Sequence, residues 1–208
     1  MIECVINGSL DENCYILYND ESDDCILIDP GSEAPLIDAT LKEMKKTAKY
    51  VLITHGHFDH IGAAKFFQDR GARVFVHKDD AKRMEYDRVA VMLGCHNVEW
   101  LKADETLEDG QILNLLGYEI EVIHTPGHSK GGVCYIIDSE KCIFSGDTIF
   151  FRSYGRYDFP DGSQQELISS FRKIFALEGR EDYIIYPGHG ISTTLGDEKK
   201  YNMINGSL

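Results

Sequence analysis

The chain opens on short β-prone apolar runs separated by turns, each too short for a helix. Residues 3–8 (ECVING), 13–19 (NCYILYN) and 24–31 (DCILIDPG) predict three strands, with a hairpin turn between the second and third over residues 19–24. The period then lengthens. In residues 32–50 (SEAPLIDATLKEMKKTAKY), Leu36, Ile37, Leu41 and Met44 fall roughly on one helical face. Residues 50–55 (YVLITH) return to strand. In residues 60–71 (HIGAAKFFQDRG), Ile61, Ala64, Lys65 and Gln68 lie near one another, Phe66 and Phe67 turn to the core, and Gly71 caps a helix. Residues 72–77 (ARVFVH) complete a strand, helix, strand unit whose polar loop follows its first strand, where α/β folds place ligands.

Residues 78–94 predict one or two charged amphipathic helices. Residues 105–127 are β-rich with Asp109-Gly110 as a turn, and residues 131–138 and 141–150 predict a hairpin through Ser139 and Glu140. A glycine-rich, mostly irregular loop over residues 151–162 leads to a helix at 163–177 and a last strand at 182–190. Two packed sheets covered by helices would use all these faces, and periodicity alone leaves a single mixed sheet open. A length of 208 residues is most simply one domain.

Thirty-five acidic against 21 basic residues give a net charge of −14, which disfavours nucleic acid and anionic membranes as partners. The first residues, MIECVINGSLDENC, have acids where a signal peptide needs basic residues, and no run of 18 apolar residues occurs, so a cytoplasmic protein is expected. None of Cys4, Cys14, Cys25, Cys95, Cys134 and Cys142 forms C-x-x-C, and reduced structural thiols are expected.

The candidate chemistry begins in THGHFDH, residues 54–60, where His55, His57, Asp59 and His60 follow an apolar strand. Clustering four such groups without a shared partner would be costly, and a metal ion supplies that partner. Four donors exceed what one tetrahedral site with an open position takes from the protein. Further donors follow other apolar runs: His128 in HTPGHSK, Asp147 in FSGDTIF and His189 in YPGHG. His124, still within an alternating strand, reads as structural or supporting.

This set, H-x-H-x-D-H, a distant histidine, the aspartate of GDT and the histidine of PGHG, resembles the metallo-β-lactamase superfamily, particularly its glyoxalase II-like hydrolases, in order over nearly the whole chain. The resemblance implies an αββα sandwich of two mixed sheets flanked by helices. It assigns His55, His57 and His128 to a first divalent metal, Asp59, His60 and His189 to a second, and Asp147 to a bridge. It also gives Asp59 a catalytic contact with the nucleophilic water. Zinc is the expected metal, with iron or manganese as alternatives.

Two such ions lower the pKa of a shared water from 15.7 to roughly 7, so a bridging hydroxide is the expected nucleophile. No isolated general acid stands out, which favours a small-molecule thioester, whose thiol leaves with a pKa near 8.5. Residues 153–160 (SYGRYDFP) resemble a loop of small glyoxalase II-like hydrolases in which the position of Arg156 lies near the thiol-peptide part of the substrate, and Tyr154 and Tyr157 join it as expected substrate contacts. Two features depart from full-length glyoxalases. Gly190 and Ile191 follow His189 in place of a motif carrying a glutathione-holding tyrosine, and the separate C-terminal helical domain is not expected. The alternative is an iron-dependent persulfide dioxygenase type, with one iron held by His55, His128 and Asp147. A monomer or weak homodimer is expected.

Overall fold

The computed structural model describes residues 1–87, 90, 91, 94 and 98–208. Cys95 and part of the helical segment expected over 78–94 lie outside the described residues. The chain divides into two compact units, Met1–Leu107 and Glu108–Leu208.

The first unit runs β1 (Ile2–Asn7), β2 (Glu12–Leu17), β3 (Asp24–Ile28), α1 (Ala34–Met44), β4 (Thr47–Leu52), α2 (Phe58–Ile61), α3 (Ala64–Gln68), β5 (Arg73–His77), α4 (Ala81–Glu85) and β6 (Glu105–Leu107). Its six strands form one sheet in the order β1-β2-β3-β4-β5-β6. The first two pairings are antiparallel, and β3 to β6 run parallel. Ile16, Leu27, Val51 and Val74 from its strands pack with Ile37 and Leu41 of α1 and Phe67 of α3 in one buried cluster. The carboxyl ends of β3 and β4 are neighbours, and each continues into a polar loop.

Three local departures from the sequence pattern have physical causes. The α1 helix stops at Met44 because Lys45 takes a left-handed conformation (φ 56°) and the Lys46 N–H bonds the Leu41 carbonyl, so β4 begins at Thr47 rather than Tyr50. Leu36, expected on the core face, is exposed, since neighbouring Ile37 takes the buried position. The helix expected over 60–71 breaks into α2 and α3: the Ala63 N–H bonds the Pro30 carbonyl, and a Cβ on Gly62 would lie 2.2 Å from the Gly31 oxygen. That contact draws the chain against the loop after β3, and Phe67 alone of the phenylalanine pair is fully buried.

Glu12, at the start of β2, is 1% exposed, and burial pushes its carboxyl up to about 9, with the nearby His60 opposing. The neutral acid is therefore the native form at neutral pH. The folded state keeps a proton that the unfolded chain, at its ordinary 4.5, releases, so stability is full below 4.5 and falls as pH rises towards 9. Glu12→Gln mimics the neutral acid. It is expected to flatten the loss of stability with pH by about 1.4 kcal/mol per pH unit, read from urea denaturation of the metal-free protein at pH 6 to 8.5; parallel slopes for both proteins would refute the assignment.

The second unit contains β7 (Ile112–Leu115), β8 (Tyr118–His124), β9 (Val133–Ile137), β10 (Cys142–Gly146), the small hairpin β11 (Ile149–Phe150) and β12 (Ser153–Tyr154), α5 (Gln164–Phe175), β13 (Ile184–Pro187), β14 (Thr193–Thr194) and α6 (Leu195–Tyr201). Its six-stranded sheet has the order β14-β13-β10-β9-β8-β7, parallel only between β10 and β13. Asp138–Glu140 forms a short 3₁₀ turn between β9 and β10, where the hairpin was expected. The Ser163 hydroxyl caps α5 by accepting from the Glu166 N–H, and Leu167, Ser170, Phe171 and Ile174 are its buried face. Each of the three apolar ones contributes on the order of 1.5–3 kcal/mol of burial.

The β11–β12 hairpin and α6 were not apparent in the sequence pattern, because two-residue strands carry no period. Among the described residues Cys4, Cys14, Cys25, Cys134 and Cys142 are free thiols, all but Cys4 buried. Burial pushes Cys25 and Cys142 up to about 12, so these thiols are packing residues. No helix among the described residues is long and apolar enough to cross a membrane.

Candidate functional site

In the first unit the donors sit in the loop that leaves β4. His55, His57 and His60 are all buried, and the His55 ring centroid lies 4.6 Å from that of His57 and 4.1 Å from that of His60. Asp59 is at the start of α2, with a carboxylate oxygen 3.8 Å from His60 Nε2.

Asp29, at the end of β3, organises this loop. It is 2% exposed, and its Oδ1 accepts from the Thr54 N–H at 2.7 Å. Its Oδ2 accepts both the Thr54 hydroxyl, at 2.5 Å, and His60 Nδ1, at 2.9 Å. A threonine hydroxyl has one proton to give. With that proton on Asp29, the Thr54 oxygen must accept from His55 Nδ1, 3.1 Å away. His55 and His60 are thereby held as Nδ1–H tautomers, and the lone pair of each resides on a buried Nε2. The loop backbone is fixed independently, since the Gly56 N–H donates to the carboxylate of buried Asp80 at 2.8 Å.

The second unit carries the other donors. His128 follows β8 by a tight turn in which Gly127 has φ 132° and a Cβ there would strike the Leu167 backbone at 2.3 Å. His128 Nδ1 donates to the Arg156 carbonyl at 2.7 Å, which again leaves the lone pair on Nε2. Asp147 follows β10, and its two oxygens face different histidines: Oδ2 is 3.3 Å from His128 Nε2 and Oδ1 is 3.7 Å from His189 Nε2. His189 follows β13 and is the more open of the two histidines.

The residues expected to meet substrate have other engagements. The Arg156 guanidinium forms two hydrogen bonds to Asp158, at 2.7 and 2.8 Å, and lies over the Phe159 ring. Tyr154 and Tyr157 stack at 6.4 Å and pack against the buried cluster around Phe171. His124, expected to be structural, donates from Nε2 to the Lys130 carbonyl at 2.8 Å. Asp29, Thr54 and Asp80 were not singled out from sequence. Of the three only Asp29 carried a signal, a carboxylate directly after a buried strand in IDPG.

Imidazole nitrogens, with the lone pairs of His55, His60 and His128 fixed on Nε2, beside carboxylate oxygens in the segments that follow strands suit a divalent metal ion. This is the donor chemistry of a metallo-hydrolase fold. A profile described as the Metallo-beta-lactamase superfamily matches residues 8–189, and the chain belongs to that superfamily.

Within it, a hydroxyacylglutathione hydrolase of Haemophilus influenzae, GloC, is 36% identical over 206 residues, covering 97% of this chain and 96% of that protein. The solved BLEG-1 B3 metallo-β-lactamase matches with a TM-score of 0.92 at 33% identity, covering 98% of this chain and 99% of that one. TTHA1623, solved in a di-iron-bound form, matches with a TM-score of 0.86 at 32% identity over 97% of this chain and 99% of that one. The expected fold class, two mixed sheets flanked by helices, holds.

Proposed function

We propose that the protein is a hydrolase of small thioesters that works with two divalent metal ions. His55, His57 and His128 would hold one ion, Asp59, His60 and His189 the other, and Asp147 would bridge them. The observation that carries this reading is Asp147, whose two carboxylate oxygens each face the Nε2 of a different histidine. The pair of ions would supply a nucleophilic water at neutral pH and polarise the acyl carbonyl. The ions are expected to be zinc, with iron or manganese as alternatives; the di-iron form belongs to TTHA1623.

The chain's own groups do the rest. Asp29 and Thr54 hold the imidazoles of His55 and His60 in the Nδ1–H tautomer, and the Arg156 carbonyl does so for His128. Asp59, partly open at 15% side-chain exposure, would accept a hydrogen bond from the attacking water and orient it. A thiolate leaves without a proton donor, in keeping with the likeness to a hydroxyacylglutathione hydrolase.

Protein loaded with zinc, iron or manganese and assayed on a panel of acyl thioesters, including S-acyl-glutathiones, is expected to hydrolyse them while holding two metals per chain. Absence of turnover across the panel would overturn the reading. So would a single iron per chain accompanied by oxygen uptake on a persulfide.

A further inference from the structure

The hairpin of β11 and β12 holds an arginine in a position that chemistry makes conspicuous. Arg152 sits at the turn with φ 57°, a left-handed conformation that glycine takes freely and that costs other residues of order 1 kcal/mol or more. The turn is nonetheless fully built. The Arg152 N–H donates to Glu198 Oε2 at 3.0 Å, and the Arg152 carbonyl accepts from the Met203 N–H at 3.4 Å. Asn202 Nδ2 donates to the Ser153 carbonyl at 2.8 Å.

Glu198 is itself wholly buried, and its remaining hydrogen bonds come from neutral donors, the Thr193 hydroxyl and Asn202 Nδ2, each at 2.7 Å. The segment after β14 therefore holds the main chain of the turn and leaves the arginine side chain to other work.

The guanidinium lies 5.3 Å from the Phe151 ring centroid and 4.3 Å from that of Tyr201. Among the described residues no carboxylate lies within ion-pair distance of it, although the chain has 35 acidic residues to 21 basic ones. Arg156 differs, since its two-point pair with Asp158 occupies its fork. The same hairpin is set against a donor: Phe150 of β11 packs its ring edge-on to His189 at 6.1 Å. Aromatic walls restrict the guanidinium and lower its hydration while leaving its N–H donors in plane for a carboxylate.

We propose that Arg152, walled by Phe151 and Tyr201, recognises a carboxylate carried by the thiol portion of the substrate. This deepens the thioesterase reading and rests on it for the identity of the ligand. Arg152 acts in binding, away from the reacting atoms, and Arg156 serves chiefly through its backbone carbonyl and its loop ion pair.

The test pairs S-lactoyl-glutathione with its dimethyl ester, which lacks both carboxylates, on metal-loaded wild type, Arg152→Ala and Arg152→Lys. Loss of one charge-assisted hydrogen-bonded contact, about 1.5–3 kcal/mol, corresponds to roughly 10- to 150-fold. The preference for the free acid over the ester is expected to fall at least about tenfold in Arg152→Ala, through KM rather than kcat, with partial rescue in Arg152→Lys. Equal losses on both substrates would mark a structural role and overturn the proposal, as would an unaltered preference.

Calorimetric binding of S-methylglutathione decides the matter without turnover. Weakening by at least about tenfold in Arg152→Ala supports the subsite; binding unchanged in the variant, or undetectable in the wild type, overturns it. Should no thioester be hydrolysed, the functional reading fails while this arm still decides the role of Arg152.

Discussion

Asp147→Asn is expected to lower thioester kcat/KM by on the order of 10³-fold, about 4 kcal/mol of transition-state stabilisation, and to bring the metal content below two per chain. The reason lies in the two oxygens of Asp147, which face His128 Nε2 at 3.3 Å and His189 Nε2 at 3.7 Å. Asparagine keeps the shape but replaces one anionic oxygen with an NH₂ that cannot ligate a cation, so one of the two facing groups loses its counterpart. Elemental analysis and steady-state kinetics read the outcome, with circular dichroism as the check on folding. A variant with full metal content and full activity would remove Asp147 from the proposed site.

Asp29→Ala is the second large effect, and it acts from behind the donors. One buried carboxylate accepts from the Thr54 N–H, the Thr54 hydroxyl and His60 Nδ1. Its removal leaves these groups without their acceptor and is expected to cost about 3–5 kcal/mol in folding stability. Metal affinity should fall as well, by about 10- to 100-fold, because His55 and His60 lose the restraint that keeps their lone pairs on Nε2. Urea denaturation gives the first quantity and competition with a chromophoric chelator the second. If stability and affinity both stayed within error of the wild type, Asp29 would not be organising the loop.

The candidate donors stood out in the sequence because they cluster and follow apolar runs: His55 to His60 occupy a single short segment, and His128, Asp147 and His189 each come shortly after a strand. The strands themselves were legible from short apolar runs, as in β2 and β9. What sequence left hidden depends on contacts remote along the chain. Asp29 reaches Thr54 and His60 across 25 and 31 positions, and no local period encodes such a pairing. The break between α2 and α3 comes from Gly62 pressing on the Gly31 carbonyl, again a tertiary contact. Lys45 hid the end of α1, since lysine carries no sign that it will adopt a left-handed conformation. For Arg156, residue type and loop resemblance pointed to a substrate contact but could not show that its guanidinium also pairs with Asp158, two positions away.

The pairing of β3 with β4 has an outcome beyond the sheet. Ile28 lies opposite Leu52, and the Asp29 N–H bonds the Leu52 carbonyl, so the ladder sets Asp29 and Thr54 side by side. Strand alignment and protonation pattern are thus one variable: sliding β3 by a single residue would take Asp29 from Thr54 and free the imidazoles to exchange tautomers. The motif THGHFDH is accordingly not portable by itself. A graft of those seven residues onto another scaffold would carry the ligands without the instruction for which nitrogen presents itself, and that instruction is written in the adjoining strand.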